Sequence, residues 1–193
     1  LYRQYSLCGQ QANTREWQIA VLKEEAGRGG SAYIHEVLQE GDALAVSIPK
    51  NHFPFAANTK CFFVAGGIGI TPIVPMVQAA AAAGLDWHLL YLARNAADFI
   101  FLQELQEVDG ARITTHASNQ DGLFDLQGAL QALDAQTVVY SCGPQPLLAA
   151  LENYQQEQAD IGWQLVLERF SVETDPAMLQ GSGFTGPGQK SGK

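Results

Sequence analysis

The chain has 193 residues, of which 47% are hydrophobic and 16% charged, and its formal net charge is -9 at pH 7. This length allows one large domain or two small ones. The acidic balance, without any Lys/Arg run, argues against nucleic acid and against an anionic membrane as partners, because both are bound through cationic side chains.

The three cysteines, Cys8, Cys61 and Cys142, lie far apart in the chain. Their number is odd and none has Cys-x-x-Cys spacing, so we expect neither a disulfide framework nor a zinc or iron–sulfur site. The histidines do not pair at ligand spacing either, and no metal ligand is assigned. A reducing, cytoplasmic setting is the simplest interpretation.

Residues 1–57 are predicted to be β-rich. The runs "RQYSLCG" (3–9), "WQIAVLKE" (17–24) and "DALAVSIP" (42–49) are short alternating or apolar stretches bounded by turn residues. Between the last two, "GGSAYIHEVLQEG" predicts a short helix that ends at Gly41.

The first run is unusual for a strand. Arg3, Tyr5 and Leu7 would share one face, with Ser6 on the other, because strand side chains alternate between faces. A half-buried strand normally presents plain apolar residues on its inner face, so a cation beside an aromatic ring is unexpected there.

Residues 58–170 are predicted to form an α/β domain. Apolar runs alternate with helices expected over 72–83, 97–107, 125–133 and 145–158; the runs are "CFFVAGG", "WHLLYLAR", "ARITTHAS", "TVVYSCG" and "WQLVLERF". This alternation is typical of βαβ units, and it predicts a parallel sheet covered on both faces. Residues 171–193 are dominated by Gly, Ser, Pro and Lys and are predicted to be a linker or tail.

A glycine-rich loop, "VAGGIGITP", follows the first strand of this α/β part. Gly66, Gly67 and Gly69 allow a sharp turn and close approach to a ligand, and Thr71 stands at the predicted helix start. Free N–H groups at such a start favour a phosphate. The alternative is a tight β–α turn without a ligand, as in any α/β domain.

Two further strand ends carry candidate residues. Cys142 and Gly143, in "YSCGP", end the fourth strand, and Arg94, in "LARN", ends the second. Ligands in open α/β sheets lie beyond the carboxyl ends of the strands, where the strand order reverses, and strands one and four commonly flank that point. We therefore expect Thr71 and Cys142 to face one cleft. Alternatively, Cys142 is simply a small buried residue and Arg94 a surface arginine, neither of which contacts a ligand.

The stretch "GRGGS" places Gly29, Gly30 and Ser31 at the start of the predicted short helix. Ser31 is either an N-cap residue or a hydroxyl that binds phosphate, and the pattern alone leaves both open.

The order of these motifs resembles the ferredoxin–NADP reductase superfamily. More narrowly, it is similar to the reductase components of Rieske-type oxygenases, of the phthalate dioxygenase reductase and vanillate demethylase reductase kind. The matching stretches extend over residues 3–170; they are "RQYSLCG", "RGGSAYIHEVLQEGD", "PKNHFPF", "FVAGGIGITPIVPM", "YLARN", "YSCGP" and "LERF".

The resemblance implies an α/β plus β fold: a partial antiparallel flavin-binding β-barrel followed by a nucleotide-binding domain with a five-stranded parallel sheet. Arg3 would pair with the flavin phosphate, and Tyr5, with Leu7 on the same face, would pack on the isoalloxazine. Ser6 would lie near N5, the atom that accepts hydride. Gly30 and Ser31 would complete the phosphate site.

The resemblance also implies a catalytic set at the flavin edge, made of Ser6, Thr71, Cys142 and Phe170. The "GGS" form is similar to the FMN-using branch, with FAD as the alternative. Residues 1–57 would be the C-terminal part of the barrel domain. Relative to the family, the first barrel strands and the [2Fe-2S] domain are missing from this sequence, so we expect a fragment.

The function implied is electron transfer from NADH through FMN to an iron–sulfur oxygenase or a ferredoxin-type acceptor. The alternatives are an FAD-dependent flavin or ferric reductase, and a non-catalytic nucleotide-binding subunit. NADH is favoured over NADPH because Asp98, close to Arg94, would oppose a 2′-phosphate.

Overall fold

A five-stranded parallel sheet forms the centre of the α/β part. The computed structural model describes residues 2–9, 16–57, 60–158 and 162–170. The strands are β1 Lys60–Gly66, β2 Trp87–Ala93, β3 Ile113–Ala117, β4 Thr137–Cys142 and β5 Gln164–Glu168. Their order is β3-β2-β1-β4-β5, and each neighbouring pair is parallel. The predicted sheet is confirmed.

The strand order reverses between β1 and β4. The chain runs outward from β1 to β2 and β3, and then returns to the other side of β1 as β4 and β5. A reversal of this kind leaves a crevice beyond the carboxyl ends of the two central strands. Gly66 ends β1 and Cys142 ends β4, so the loops that follow them meet at this crevice.

Six α-helices lie in the part of the chain that the structure describes. They are α1 Gly30–Glu36, α2 Ile70–Ala82, α3 Leu102–Asp109, α4 Ser118–Asp121, α5 Leu126–Gln131 and α6 Gln145–Glu157.

Helices α5 and α6 lie within one or two residues of their predicted bounds, and three other helices also differ from theirs. Helix α2 begins at Ile70, before the expected residue 72, because a 3-10 turn at Gly67–Gly69 leads directly into it. The helix expected over 97–107 is interrupted by Phe101, whose φ of 58° is left-handed. Helix α1 ends at Glu36 and does not continue to Gly41.

The two faces of the sheet are covered by different helices. On one face, Phe63 and Tyr91 belong to a core with Ile73 and Val77 of α2. On the other face, Val64 packs in a core that includes residues of α5 and α6. Because β1 and β4 are buried along almost their whole length, their sequences are continuous apolar runs.

The part before residue 58 departs from the predicted barrel strands. Its described residues contain one antiparallel bridge, Leu7 with Ile19, beside a backbone hydrogen bond from Cys8 N–H to the Gln18 carbonyl oxygen at 2.9 Å. A ladder requires a neighbouring strand in register, and among the described residues of this part only Leu7 and Ile19 are paired. The alternating side chains of 42–49 are accordingly exposed; Val46 is 69% exposed and Ile48 84%.

None of the helices within the described ranges has the length and hydropathy needed to cross a bilayer.

Candidate functional site

The glycine-rich loop and the end of β4 are in direct backbone contact. A β-carbon built on Gly69 would clash with the carbonyl oxygen of Cys142 and would lie 2.6 Å from the Gly143 nitrogen. One built on Gly66 would lie 2.6 Å from Pro144 Cδ. Gly66, Gly69, Cys142 and Gly143 are therefore brought together, as expected from the sequence, and a larger side chain at either loop glycine would push the two strand ends apart.

Gly67 gives this loop its turn. Its φ of 52° lies in the left-handed region that glycine adopts without strain. The turn carries the chain from β1 into α2 and leaves the first N–H groups of that helix beside the crevice.

Thr71 lies in the first turn of α2, with its side chain buried. Its hydroxyl donates a hydrogen bond to the Ile68 carbonyl oxygen at 3.1 Å. The Thr71 side chain therefore stabilises the turn of the loop from its buried side. The backbone of the same turn contacts the end of β4 at Cys142.

The Cys142 thiol is fully buried at the carboxyl end of β4. Burial raises its pKa, and the neighbouring Glu168 carboxylate raises it further. Glu168 lies directly beside it, because the two residues are paired in the register of β4 and β5. Cys142 is therefore a neutral thiol at physiological pH rather than a thiolate nucleophile.

Glu168 is a site residue that the sequence motifs did not single out. Burial raises the pKa of its carboxyl group, while hydrogen bonding from Ser6 and the nearby His52 act in the opposite direction. Its Oε2 atom is buried without a hydrogen-bond partner among the described residues. The sequence feature that could have identified Glu168 is an acidic residue at the end of an otherwise apolar strand, in "QLVLE".

Ser6 thus connects the N-terminal part to the sheet. It comes from the first predicted run, yet it lies beside a carboxylate at the end of β5, which itself adjoins Cys142. Ser6 and Cys142, two members of the catalytic set that the resemblance implies, are in this way joined through Glu168.

A second cluster surrounds the Arg3 guanidinium. Arg3 donates hydrogen bonds to the carbonyl oxygens of Tyr2, at 2.7 Å, and of Arg28, at 3.3 Å. A β-carbon on Gly30 would lie 2.6 Å from Arg3 Nε, so glycine is needed there for the arginine to lie against the start of α1. Gly29 has a φ of 81° and precedes the helix.

Ser31 lies in the first turn of α1 and is not its N-cap, a position that Gly29 occupies. The Ser31 hydroxyl oxygen accepts a hydrogen bond from the Glu24 N–H at 3.0 Å. Because the oxygen acts as the acceptor in that bond, the hydroxyl still has its own proton to donate.

The remaining predicted residues are accessible to different degrees. Tyr5 and Leu7 are half-buried, and Leu7 forms the bridge to Ile19. Phe170 follows β5 and is 47% exposed.

Arg94 lies in the exposed loop after β2. Its carbonyl oxygen accepts a hydrogen bond from Asn119 N–H at 3.0 Å. In the same loop, Asp98 Oδ2 accepts from the backbone N–H of Asn95, at 3.1 Å, and from its side-chain amide, at 2.8 Å. The carboxylate charge of Asp98 is thus fixed in the loop that presents Arg94.

The residues present fit a flavin phosphate and a dinucleotide. The Arg3 guanidinium, packed against Gly30, supplies a cation at the start of α1, and the unpartnered Glu168 Oε2 is a buried polar atom that could accept a hydrogen bond. The loop of Gly67 and Gly69 supplies the close backbone approach that a pyrophosphate needs.

Comparison with known proteins agrees with this fold. Residues 63–153 match the family model described as the oxidoreductase NAD-binding domain. The chain is 42% identical over 161 residues to the heme-dependent oxidative N-demethylase beta subunit of Ectopseudomonas mendocina, covering 82% of this chain and 50% of that protein. It is 35% identical over 185 residues to the vanillate O-demethylase oxidoreductase of Pseudomonas putida, covering 94% and 58% respectively.

Among solved structures, phthalate dioxygenase reductase superposes with a TM-score of 0.77 at 32% identity, covering 91% of this chain and 56% of that one. The chain thus spans about half the length of the curated relatives that it matches. On these similarities the chain carries an oxidoreductase NAD-binding domain, and its sequence and fold are similar to those of the reductase components of oxygenase systems, phthalate dioxygenase reductase among them.

Proposed function

We propose that this chain is the flavin- and nicotinamide-binding part of an NADH oxidoreductase that passes electrons through FMN to the iron–sulfur centre of an oxygenase system. The observation that supports this most strongly is the junction of Ser6 with Glu168 and Cys142. It brings the N-terminal flavin-type motif to the carboxyl edge of a dinucleotide-binding sheet, where the two cofactors must meet for hydride to pass between them.

In this proposal, residues 1–57 hold the flavin and residues 58–170 hold the nicotinamide dinucleotide. Arg3 pairs with the flavin phosphate and Ser31 donates its hydroxyl proton to the same group, while Gly29 and Gly30 leave room for it. Tyr5, Leu7 and Phe170 form walls for the flat ring.

A single phosphate suits this site, which is why we favour FMN over FAD. Arg3 is anchored to the Arg28 carbonyl, and the start of α1 follows Arg28 closely. The mass of the flavin released from the purified protein distinguishes the two cofactors.

The chain's own residues then orient and shield the reaction. Bound flavin supplies the hydride-accepting atom and the ability to release electrons singly. Ser6 would offer a hydroxyl at that edge, and the fully buried, neutral thiol of Cys142 would support the nicotinamide side of it without adding charge. Thr71 holds the glycine-rich loop that positions the dinucleotide.

We favour NADH as the electron donor. Asp98 is held by Asn95 in the loop after β2, and its negative charge opposes the 2′-phosphate of NADPH, although Arg94 offers one cation. The electron acceptor is proposed to be an iron–sulfur oxygenase or a ferredoxin-type protein, because relatives are named as reductase subunits of monooxygenase and dioxygenase systems. We also propose a reducing, cytoplasmic setting, in which the buried Cys8, Cys61 and Cys142 remain thiols.

An anaerobic titration tests the proposal. The protein, supplied with FMN, is mixed with increasing NADH while the flavin absorbance is followed. One equivalent of NADH per bound flavin should bleach the absorbance. Flavin that binds but is not reduced by NADH or NADPH would instead indicate a non-catalytic nucleotide-binding subunit.

A further inference from the structure

The Tyr91 hydroxyl lies between two ligand-facing loops. Tyr91 is fully buried on β2, and its hydroxyl oxygen is 3.4 Å from each of three backbone carbonyl oxygens. One carbonyl belongs to Gly67, in the glycine-rich loop after β1. The other two belong to Asp98 and Ile100, in the loop after β2.

This hydroxyl can act only as a donor to these carbonyls. Burial raises the pKa of Tyr91, so the proton stays on the oxygen. A single proton shared among three acceptors gives long, weak contacts, and each of the three distances is correspondingly long. The ring itself is held edge-on by Phe99, with ring centroids 4.9 Å apart.

The loop after β2 needs such an anchor. Phe101 has a left-handed φ of 58°, which is unfavourable for an aromatic residue. Such a conformation persists only where surrounding contacts hold it. The Tyr91 hydroxyl and the Asn95–Asp98 pair supply contacts of this kind on the other side of the loop.

We propose that Tyr91 is a positioning residue that fixes the spacing between the glycine-rich loop and the loop after β2, and thereby the affinity for dinucleotides that span both. This inference rests on the proposed function. In an open α/β sheet the pyrophosphate lies over the loop after the first strand, and the adenosine lies over the end of the next. A hydroxyl that joins the two loops aligns both halves of one ligand without touching it.

Tyr91→Phe tests the proposal, since it removes the hydroxyl and keeps the ring. Tyr140→Phe is the matched control: that tyrosine is also buried in the sheet, and its hydroxyl accepts a hydrogen bond from Ala56 N–H at 3.1 Å, away from both loops. Binding of ADP-ribose, which spans the two loops without the nicotinamide, is measured by calorimetry on both variants and on the unaltered chain.

We expect ADP-ribose to bind about three- to tenfold more weakly to Tyr91→Phe, and unchanged to Tyr140→Phe. In turnover with excess FMN, the KM for NADH should rise in Tyr91→Phe while kcat stays the same. The inference would be overturned if Tyr91→Phe bound ADP-ribose as tightly as the unaltered chain. It would also be overturned if Tyr91→Phe and Tyr140→Phe lost ADP-ribose affinity equally. Failure of the unaltered chain to bind either ADP-ribose or NADH would instead overturn the proposed function.

If Tyr91→Phe does not fold, Phe99→Leu provides the test. It leaves the hydroxyl in place but removes the ring that holds Tyr91 edge-on, at a half-buried position. ADP-ribose should then bind about two- to fivefold more weakly. An unchanged affinity in a folded Phe99→Leu protein would contradict the positioning role.

Discussion

Gly69 packs against the backbone of Cys142, so closely that a β-carbon at Gly69 would overlap the Cys142 carbonyl oxygen. The two residues are far apart in sequence, and the return of the chain to β4 beside β1 brings them together. The contact joins the loop proposed to hold pyrophosphate to the strand end proposed to border the nicotinamide. The geometry of both depends on the absence of a side chain at position 69.

Gly69→Ala should therefore weaken both stability and coenzyme binding. The backbone on both sides must shift to admit the methyl group, and overpacking of this kind costs about 1–3 kcal/mol. Denaturant unfolding and a titration with NADH measure the two effects. Gly110→Ala is the control, because a β-carbon there would meet only the Gln106 side chain at 3.8 Å. If Gly69→Ala and Gly110→Ala had the same stability and the same affinity for NADH, the Gly69 contact would not shape the site.

Arg3→Ala should weaken FMN binding by about one to two decades. The guanidinium is the cation against the start of α1, and a charge-assisted pair with phosphate contributes roughly 1.5–3 kcal/mol. Arg3→Lys should recover part of the loss, since it keeps the charge but not the planar fork. Fluorescence titration with FMN measures all three affinities. If Arg3→Ala bound FMN as tightly as the unaltered chain, Arg3 would have only a structural role.

Glu168→Gln should raise stability at neutral pH. Burial raises the folded-state pKa of this carboxyl group above the ordinary value of 4.5, so the charged form penalises the folded state. The penalty is absent below pH 4.5, grows as pH rises toward the folded-state pKa and is constant above it. The free energy of unfolding of the variant should thus exceed that of the unaltered chain at pH 8, and the difference should vanish at pH 4. Urea unfolding at both values measures it; a difference that grew on acidification would contradict the burial argument.

The sequence predicted the sheet well because β1 and β4 are buried on both faces and read as unbroken apolar runs. It also predicted which strand ends meet, because a reversal between β1 and β4 places Gly69 and Cys142 at one crevice. Local pattern could not show that Ser6 reaches Glu168, since that proximity depends on tertiary packing.

The misplaced helix bounds have local causes. Phe101 adopts a backbone conformation that its residue type disfavours, so no sequence pattern indicates the break there. The short α4, Ser118–Asp121, was not predicted because a single turn carries no periodic signal. The runs 17–24 and 42–49 have strand patterns, yet a pattern alone does not provide the neighbouring strand that a ladder requires.

Coenzyme preference should depend on Asp98. The unaltered protein should have a higher kcat/KM for NADH than for NADPH, and Asp98→Asn should raise the value for NADPH about three- to tenfold by removing a charge that opposes the 2′-phosphate. The asparagine oxygen can still accept from the Asn95 N–H, so the loop should persist. Adding Arg94→Ala to Asp98→Asn should return the kcat/KM for NADPH to the value of the unaltered protein. Steady-state reduction of an artificial acceptor measures these ratios, and a native preference for NADPH would reverse the assignment.

The central claim is that hydride passes directly from NADH to flavin at the edge formed by Ser6, Glu168 and Cys142. The most direct test is a single-turnover, anaerobic rapid-mixing experiment on the FMN-loaded protein, with NADH carrying hydrogen or deuterium at the transferred position. The account predicts that the flavin is reduced, that deuterium slows the reduction, and that Ser6→Ala slows it while FMN remains bound. Bound FMN that stays oxidised in the presence of saturating NADH would contradict it.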